Sequence, residues 1–160
     1  LVLLAAAFST HASRVRRHRI AIVAEIAGIA PRQVKPIWRT FPVIGYAFEI
    51  RTTSGERAGY VFLDRTESLH SISFLVEHAE VVPAREAVAS GTESASRMVA
   101  KYWRVPSMGL RAVRLPPVVG DENRVTIQVT DAAGHRWIVQ EYAGRLEKAS
   151  RRDGTSDAGG

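Results

Sequence analysis

One stretch of the chain, residues 46–63, constrains the fold more than any other. In residues 46–51, large apolar side chains alternate with small or charged ones, which is typical of a strand with one buried face. A polar segment that contains Gly55 follows, and glycine accepts the positive φ that a tight turn needs. Residues 60–63 form a second apolar run. The stretch therefore predicts an antiparallel β-hairpin.

The pattern of this hairpin recurs in residues 124–142. The alternating apolar residues that begin at Val125 follow those that begin at Tyr46 by 79 positions (125 − 46 = 79). The same offset relates four pairs of identical residues: Arg32 and Arg111, Val34 and Val113, Gly55 and Gly134, and Arg57 and Arg136. Self-similarity at a fixed period indicates an internal duplication. We therefore predict two copies of one unit, with two unrelated hairpins of the same type as the alternative.

The length and composition allow one ordinary domain or two small ones. Of the 160 residues, 46% are hydrophobic and 24% are charged, as is typical of a globular protein with a buried core. The absence of cysteine excludes disulfides, thiolate metal sites and thiol catalysis. The net charge of +6 favours partners with acidic surfaces, namely nucleic acid, anionic membranes or acidic proteins. Because most of the cationic residues are arginine, a bias that a GC-rich genome also produces, charge alone does not choose among these partners.

A helical pattern precedes each predicted hairpin. Residues 20–27 have one apolar face, and Gly28 with Pro31 marks where that helix should end. Residues 86–103 contain the second helix, with Thr92 as its N-cap. Further strands are predicted at residues 34–38, 71–76 and 110–115. The order predicts an α+β fold made of two helix-plus-antiparallel-hairpin units that an apolar N-terminal segment precedes.

These patterns divide the chain into four segments. They are residues 1–13, a remnant of a signal peptide or anchor; residues 14–80, the first unit; residues 84–148, the second unit; and residues 149–160, a disordered tail. Residues 1–8 are uniformly apolar, which also fits the start of a buried helix. The arginine-rich residues 14–19 predict either contact with lipid phosphates or a solvated helix face. From Lys148 onward large apolar residues are absent, which predicts disorder.

Several motifs in the first half resemble the PepSY domain family. Residues 24–29, Ala-Glu-Ile-Ala-Gly-Ile, match the end of the family's helix, and Val34 follows a few residues later. A strand, a turn and a second strand that ends at Asp64 come next, as in the family. Ser68 departs from the pattern, because it stands near a position where glycine is usual. This part of the likeness covers residues 18–76.

The second half resembles the same family at its C-terminal end. The apolar alternation from Val125, the turn at Gly134, and residues 142–146, in which a glycine precedes the last strand, carry the likeness. It covers residues 84–148. Glu141 departs from the pattern, because it replaces an aspartate of the family.

The resemblance implies a binding module without catalytic activity. PepSY domains occur in propeptides of secreted peptidases and in membrane-tethered envelope proteins, and the chain is also similar to small prodomains of such peptidases. The implied fold of each unit is PepSY-like or cystatin-like, and the implied location is extracytoplasmic, either secreted or tethered through the N-terminal segment. The implied partner is a protein, either a peptidase that the chain inhibits or an envelope component, bound by edge-strand pairing or by a helix face. The resemblance implies no cofactor and no metal.

A DNA-binding helix-turn-helix in residues 20–38 is the alternative hypothesis. Pro31 would begin the recognition helix at a position where proline is tolerated. Arg32, Gln33 and Lys35 would then contact bases or phosphates. Pro36 argues against this hypothesis, because it would break the recognition helix after about one turn. Nucleic acid is therefore not the expected partner.

The sequence contains no catalytic or metal-binding signature, so we predict no catalytic residues. The motifs HExxH, GxSxG and SxxK and the Walker loop are all absent. His70 and His78, with Glu77 and Glu80, could form a metal site only if the chain brought them together, since their spacing is not that of a known ligand set. Asp64 and Glu67 precede His70 in a polar segment, which favours a solvated turn over acid–base chemistry.

Overall fold

The computed structural model describes residues 2–37, 45–75 and 91–152. In these ranges the chain forms two helices and eight strands. They are α1 (Val2–Ala27), β1 (Val34–Pro36), β2 (Tyr46–Arg51), β3 (Arg57–Leu63), β4 (Leu69–Phe74), α2 (Thr92–Trp103), β5 (Arg111–Arg114), β6 (Arg124–Thr130), β7 (Arg136–Tyr142) and β8 (Arg145–Arg152).

All eight strands belong to one antiparallel sheet. The strand order is β1-β2-β3-β4-β8-β7-β6-β5, so the first four strands form one meander and the last four form another. The two meanders meet at the centre, where Ile72 of β4 lies opposite Ala149 of β8. This arrangement leaves β1 and β5 as the two edge strands. The α+β fold class is confirmed, and most of the fold is sheet.

One face of the sheet and both helices form the core. Every strand from β2 to β4 and from β6 to β8 contributes buried apolar residues, among them Phe48, Ile50, Val61, Leu63, Ile72, Ile127, Val129, Trp137, Val139 and Leu146. The helices add Val23, Ala24 and Ala27 from α1 and Ala95, Val99 and Tyr102 from α2. Each large apolar side chain that is fully buried contributes roughly 1.5–3 kcal/mol to folding. The opposite face of the sheet, called here the open face, carries mainly polar and half-buried side chains.

The two predicted hairpins are confirmed as β2–β3 and β6–β7, and their turns have the same hydrogen bonds. In the first turn the N–H of Thr52 donates to Glu56 O at 2.8 Å, and that of Gly55 donates to Thr52 O at 3.1 Å. In the second turn Asp131 and Gly134 make the corresponding bonds, both at 3.1 Å. Gly55 and Gly134 both have positive φ, 94° and 86°. The turn residues correspond at the same offset of 79 that relates the two hairpins in sequence.

Helix α1 ends where the sequence predicts but begins much earlier. Gly28 has a φ of 67°, and the N–H of Ile29 donates back to Ala24 O at 3.0 Å, which closes the helix after Ala27. The helix begins at Val2, so the predicted boundary between residues 13 and 14 falls within one continuous helix. In the described part of the chain, no helix has the length and hydrophobicity needed to cross a membrane.

The recognition helix of the helix-turn-helix hypothesis does not form, so that hypothesis is wrong in its geometry. Pro31–Gln33 is a single 3-10 turn, and the next residues form strand β1. Gln33 is buried, and its side-chain amide donates to Arg51 O at 2.9 Å while its Oε1 accepts from the N–H of Ala30 at 3.2 Å. A residue expected to contact DNA therefore attaches the 3-10 turn to β2 instead.

The predicted disorder of residues 148–160 is wrong for residues 148–152, which belong to β8. Strand β8 pairs with β4 on one side and β7 on the other, and Ala149 has no exposed surface. A strand in the middle of a sheet gains its hydrogen bonds and its cover from its neighbours, so it does not need large apolar residues of its own. Residues 153–160 lie outside the described residues. A smaller correction concerns α2, whose N-cap is Gly91, while Thr92 is its first helical residue.

Candidate functional site

The backbone of edge strand β1 offers no hydrogen-bond donor to a further strand. The N–H of Ile37 donates to Ala47 O at 2.9 Å, so by alternation Val34 and Pro36 are the β1 residues whose backbone groups point away from β2. The N–H of Val34 already donates to Pro31 O in the 3-10 turn, and proline has no N–H. This edge of the sheet is therefore closed to strand addition.

Edge strand β5 is open by the same test. The N–H of Leu115 donates to Thr126 O at 2.9 Å, which directs the backbone groups of Arg111 and Val113 toward β6 and those of Ala112 and Arg114 outward. Within the described residues, nothing hydrogen-bonds to the outward N–H and C=O groups of Ala112 and Arg114. Strand β5 therefore presents two donors and two acceptors in the geometry that pairs with an extended peptide.

Exposed apolar side chains are concentrated around this open edge. The large hydrophobic residues that are exposed in the described part of the chain are Met108 (92%), Val113 (60%), Val118 (70%) and Val119 (101%). All of them lie in the twelve residues that contain β5 and its flanking loops. Single exposed apolar residues are common, but several beside an unpaired strand edge are typical of a surface that another protein covers.

A row of arginines crosses the open face beside the same edge. Direct cross-strand pairing aligns Arg111 of β5 with Thr130 of β6, Thr130 with Arg136 of β7, and Arg136 with Arg152 of β8. Residues paired in this way lie on one face, and Thr130 lies on the open face because it follows the buried Val129. All of the arginines in this set, called here the arginine row, are exposed. None of them forms an ion pair within the described residues.

In the first hairpin Arg57, which corresponds to Arg136, is neutralised internally together with Arg51. Glu49 is buried, and its Oε1 accepts from Arg51 Nε at 2.6 Å while its Oε2 accepts from Arg57 Nε at 3.2 Å. The residue 79 positions after Glu49 is Gln128, and the residue 79 positions after Arg57 is Arg136. The second hairpin therefore has an amide where the first has a carboxylate, and within the described residues the guanidinium of Arg136 has no acidic partner.

The acid in the β6–β7 turn does not take the place of this missing carboxylate. Asp131 Oδ2 lies 2.8 Å from His135 Nδ1, and Asp131 Oδ1 accepts from the N–H groups of Ala133 and His135 at 3.0 and 2.9 Å. The hydrogen bond to the His135 side chain, followed by the backbone bonds, lowers the pKa of Asp131. The Asp131 carboxylate is therefore engaged within its own turn.

One acidic residue of the second half lies in the core. Glu141 of β7 has no exposed surface and lies between Val125 of β6 and Leu146 of β8. Neither carboxylate oxygen has a hydrogen-bond partner within the described residues. Burial raises the pKa of Glu141 to about 6, and the positive charge of Arg114 on the open edge strand opposes that rise.

The structure does not assemble the polar residues that we considered for catalysis or metal binding. Asp64 Oδ1 accepts from Thr66 and Ser68 within the β3–β4 turn. Glu67 accepts a 2.7 Å hydrogen bond from Arg19 Nε of α1, and the ring of His70 lies edge-on to Phe62 at 5.8 Å. Glu77, His78 and Glu80 lie outside the described residues. Within the described ranges, no group of three or more potential ligands is placed to hold a metal ion.

Sequence analysis missed the residues that make β5 distinctive. The identities of Arg111 with Arg32 and of Arg136 with Arg57 were visible, but they were evidence only for duplication. A comparison of Glu49 with Gln128 at the same offset would have indicated the unpaired arginine. The outward backbone groups of β5 could not be found without the register of the sheet.

Comparison of the chain with family models, with curated proteins and with solved structures found no match.

Proposed function

We propose that this protein is a non-catalytic binding module that captures an extended segment of a protein partner on strand β5. The observation that carries the proposal is the difference between the two edges. In the part of the chain that the structure describes, the outward N–H groups of Ala112 and Arg114 of β5 have no partner, whereas the outward positions of β1 offer no N–H group. An added strand would satisfy these groups through main-chain hydrogen bonds, and the exposed apolar residues around β5 would supply the buried contact area.

The module is proposed to consist of two PepSY-like units that share one sheet. Each unit would be a helix followed by a four-stranded meander, and the symmetric strand order with Ile72 and Ala149 at its centre supports this interpretation. The identical hydrogen bonding of the two hairpin turns supports it independently. On this interpretation the partner is a peptidase that the chain inhibits, or a component of the cell envelope, and the chain acts outside the cytoplasm.

Binding by strand addition is tested by removing an outward donor. A fluorescein-labelled decapeptide selected from a random synthetic library for binding to the intact chain serves as the probe. The variant Ala112→Pro eliminates one outward N–H without disturbing a bond to β6, and edge strands tolerate proline. We expect the dissociation constant for the peptide to rise at least about tenfold, because the complex loses roughly one main-chain hydrogen bond and the strand is locally distorted.

The matched control is Ala132→Pro in the exposed β6–β7 turn, which should leave binding unchanged. Thermal unfolding followed by circular dichroism shows that both variants are folded. If the selected peptide binds Ala112→Pro as tightly as it binds the unaltered chain, the proposed strand addition at β5 is wrong.

A further inference from the structure

We infer that the segment captured by β5 carries a carboxylate side chain, which pairs with the guanidinium groups of Arg111 and Arg136 on the open face. This inference rests on the proposed function and specifies the chemistry of the partner. The arginine row carries the inference, because the consecutive strands of the second meander align its members on one face. The row begins on β5 itself, so an added strand lies directly beside it.

The spacing of the row suits a bridging anion. Arg111 and Arg136 are two strands apart, which places their backbones roughly 10 Å from each other. Their side chains project from the same face, and Thr130 of β6 lies between them. Gln128 lies on the same face two residues further along β6, between Val113 and Ile138. Within the described residues, neither of these two polar side chains has a hydrogen-bond partner. The patch therefore combines two guanidinium groups with two neutral donors.

The first hairpin contains a related interaction, in which one carboxylate bridges two arginines on adjacent strands. The two oxygens of Glu49 there accept from two different arginines, Arg51 and Arg57, at 2.6 and 3.2 Å. In the second hairpin Gln128 stands at the position of Glu49 and Thr130 at that of Arg51, so a carboxylate that pairs with Arg136 is expected to come from another molecule. Charge-assisted hydrogen bonds of this kind are roughly twice as strong as neutral ones.

A second copy of the chain does not suit this surface. Pairing of two β5 strands would place two copies of the same positively charged edge, each with Arg111 and Arg114, side by side, and this concentration of like charge disfavours the pair. A nucleic acid backbone could contact the arginines, and its phosphates could accept from the outward N–H groups, but phosphates offer no donor to the outward C=O groups of Ala112 and Arg114. An acidic peptide satisfies both the charges and the backbone.

Two synthetic decapeptides test the inference. In one, glutamate alternates with threonine, and in the other glutamine replaces each glutamate, so the peptides differ in charge but hardly in shape. We expect the glutamate peptide to bind roughly ten times more tightly at low salt, and we expect this preference to shrink as salt is added. The double variant Arg111→Gln/Arg136→Gln should remove the preference, as measured by fluorescence anisotropy.

Two further variants make the test specific. Arg17→Gln/Arg65→Gln removes the same charge from exposed arginines outside the patch and should retain the preference. Gln128→Glu places a carboxylate where Glu49 stands in the first hairpin, so it should pair internally with Arg136 and abolish the preference for the acidic peptide. Retention of the preference in Gln128→Glu and in the Arg111→Gln/Arg136→Gln variant would overturn the inference.

The outcomes separate this inference from the proposed function. If both peptides bind equally and Ala112→Pro weakens both, strand addition stands and the carboxylate site is wrong. If neither peptide binds, and the library yields no peptide sensitive to Ala112→Pro, the proposed function also fails. A decathymidylate probe that binds more tightly than the glutamate peptide and is insensitive to Ala112→Pro would identify the arginine row as a nucleic acid site and would overturn the inference.

Discussion

Ala149 of β8 lies directly opposite Ile72 of β4, and both are fully buried at the centre of the sheet. This contact joins the two meanders, so the stability of the sheet depends on it. We expect Ala149→Asp to destabilise the chain by about 3 kcal/mol or more, because it places an unpaired charge in the core. Urea unfolding followed by circular dichroism measures the change. Lys148→Asp, at the exposed neighbouring position, is the control, and equal stabilities of the two variants would contradict the central position of β8.

The buried Glu141 predicts an unusual pH dependence of stability. Its pKa is raised from an ordinary value of 4.5 to about 6, so the folded state binds more protons than the unfolded state between these two pH values. Stability therefore falls as the pH rises from about 4.5 through 6 and levels off above that. A shift of this size corresponds to about 2 kcal/mol. The stability of Glu141→Gln, measured by urea unfolding at each pH, should not show this fall. The same fall in the variant would contradict its assignment to Glu141.

Replacement of Glu141 by an apolar residue tests whether the buried carboxylate lowers the stability of the fold. Glu141 occupies a core position with Val125 and Leu146 on its two sides, so Glu141→Leu should stabilise the chain by about 1–3 kcal/mol at pH 8. Glu147→Leu, in the half-buried position after Leu146, would instead break the ion pair with Arg124 and should not stabilise. A loss of stability in Glu141→Leu would contradict the prediction, because it would mean that the buried carboxylate stabilises the fold.

Trp103 at the end of α2 ties the second helix to the first meander. Its indole Nε1 donates to Leu69 O of β4 at 2.7 Å, and its ring lies edge-on to Trp137 with centroids 6.3 Å apart. Trp103→Phe leaves the Leu69 carbonyl without this donor and should cost about 1–3 kcal/mol in unfolding free energy. Tyr60→Phe on the open face is a conservative control with little expected effect. Equal effects of the two substitutions would contradict a structural role for the indole N–H.

Arg19 shows that one member of the predicted basic cluster has a structural role. Its guanidinium lies 3.5 Å from the centroid of the Tyr46 ring, and its Nε donates to Glu67 at 2.7 Å. Arg19 thus helps to hold α1 on the sheet. Arg19→Ala should lower the free energy of unfolding, measured in urea, by about 1 kcal/mol. Arg17→Ala, at an exposed position of the same helix, should have no measurable effect on stability. An equal loss of stability in the two variants would contradict a structural role that is specific to Arg19.

Local patterns predicted the hairpins well, because alternation and a turn glycine are encoded within a few residues. Gly28 likewise predicted the end of α1. Such patterns could not predict which strands pair with each other, since strand pairing depends on contacts between residues that are distant in the sequence. For that reason the sequence predicts disorder at Lys148 and Ala149, although β4 and β7 pair with them on both sides.

The candidate site could be predicted even less well than the fold. Arg111, Arg136 and Arg152 are ordinary exposed arginines in the sequence, and only the register of four strands aligns them. The availability of the Ala112 and Arg114 backbone depends on which way each N–H points, which no residue type encodes. The helix-turn-helix hypothesis was wrong about the recognition helix, since residues 31–33 form only one 3-10 turn and the chain then continues as a strand.

Amide hydrogen exchange at β5 tests the central claim most directly. In the free chain the N–H groups of Ala112 and Arg114 should exchange rapidly, while that of Val113, which points toward β6, should be protected. Addition of a binding peptide should slow exchange at Ala112 and Arg114 while Val34 of the closed edge does not change. Unchanged exchange at Ala112 and Arg114 under saturating peptide would contradict the account.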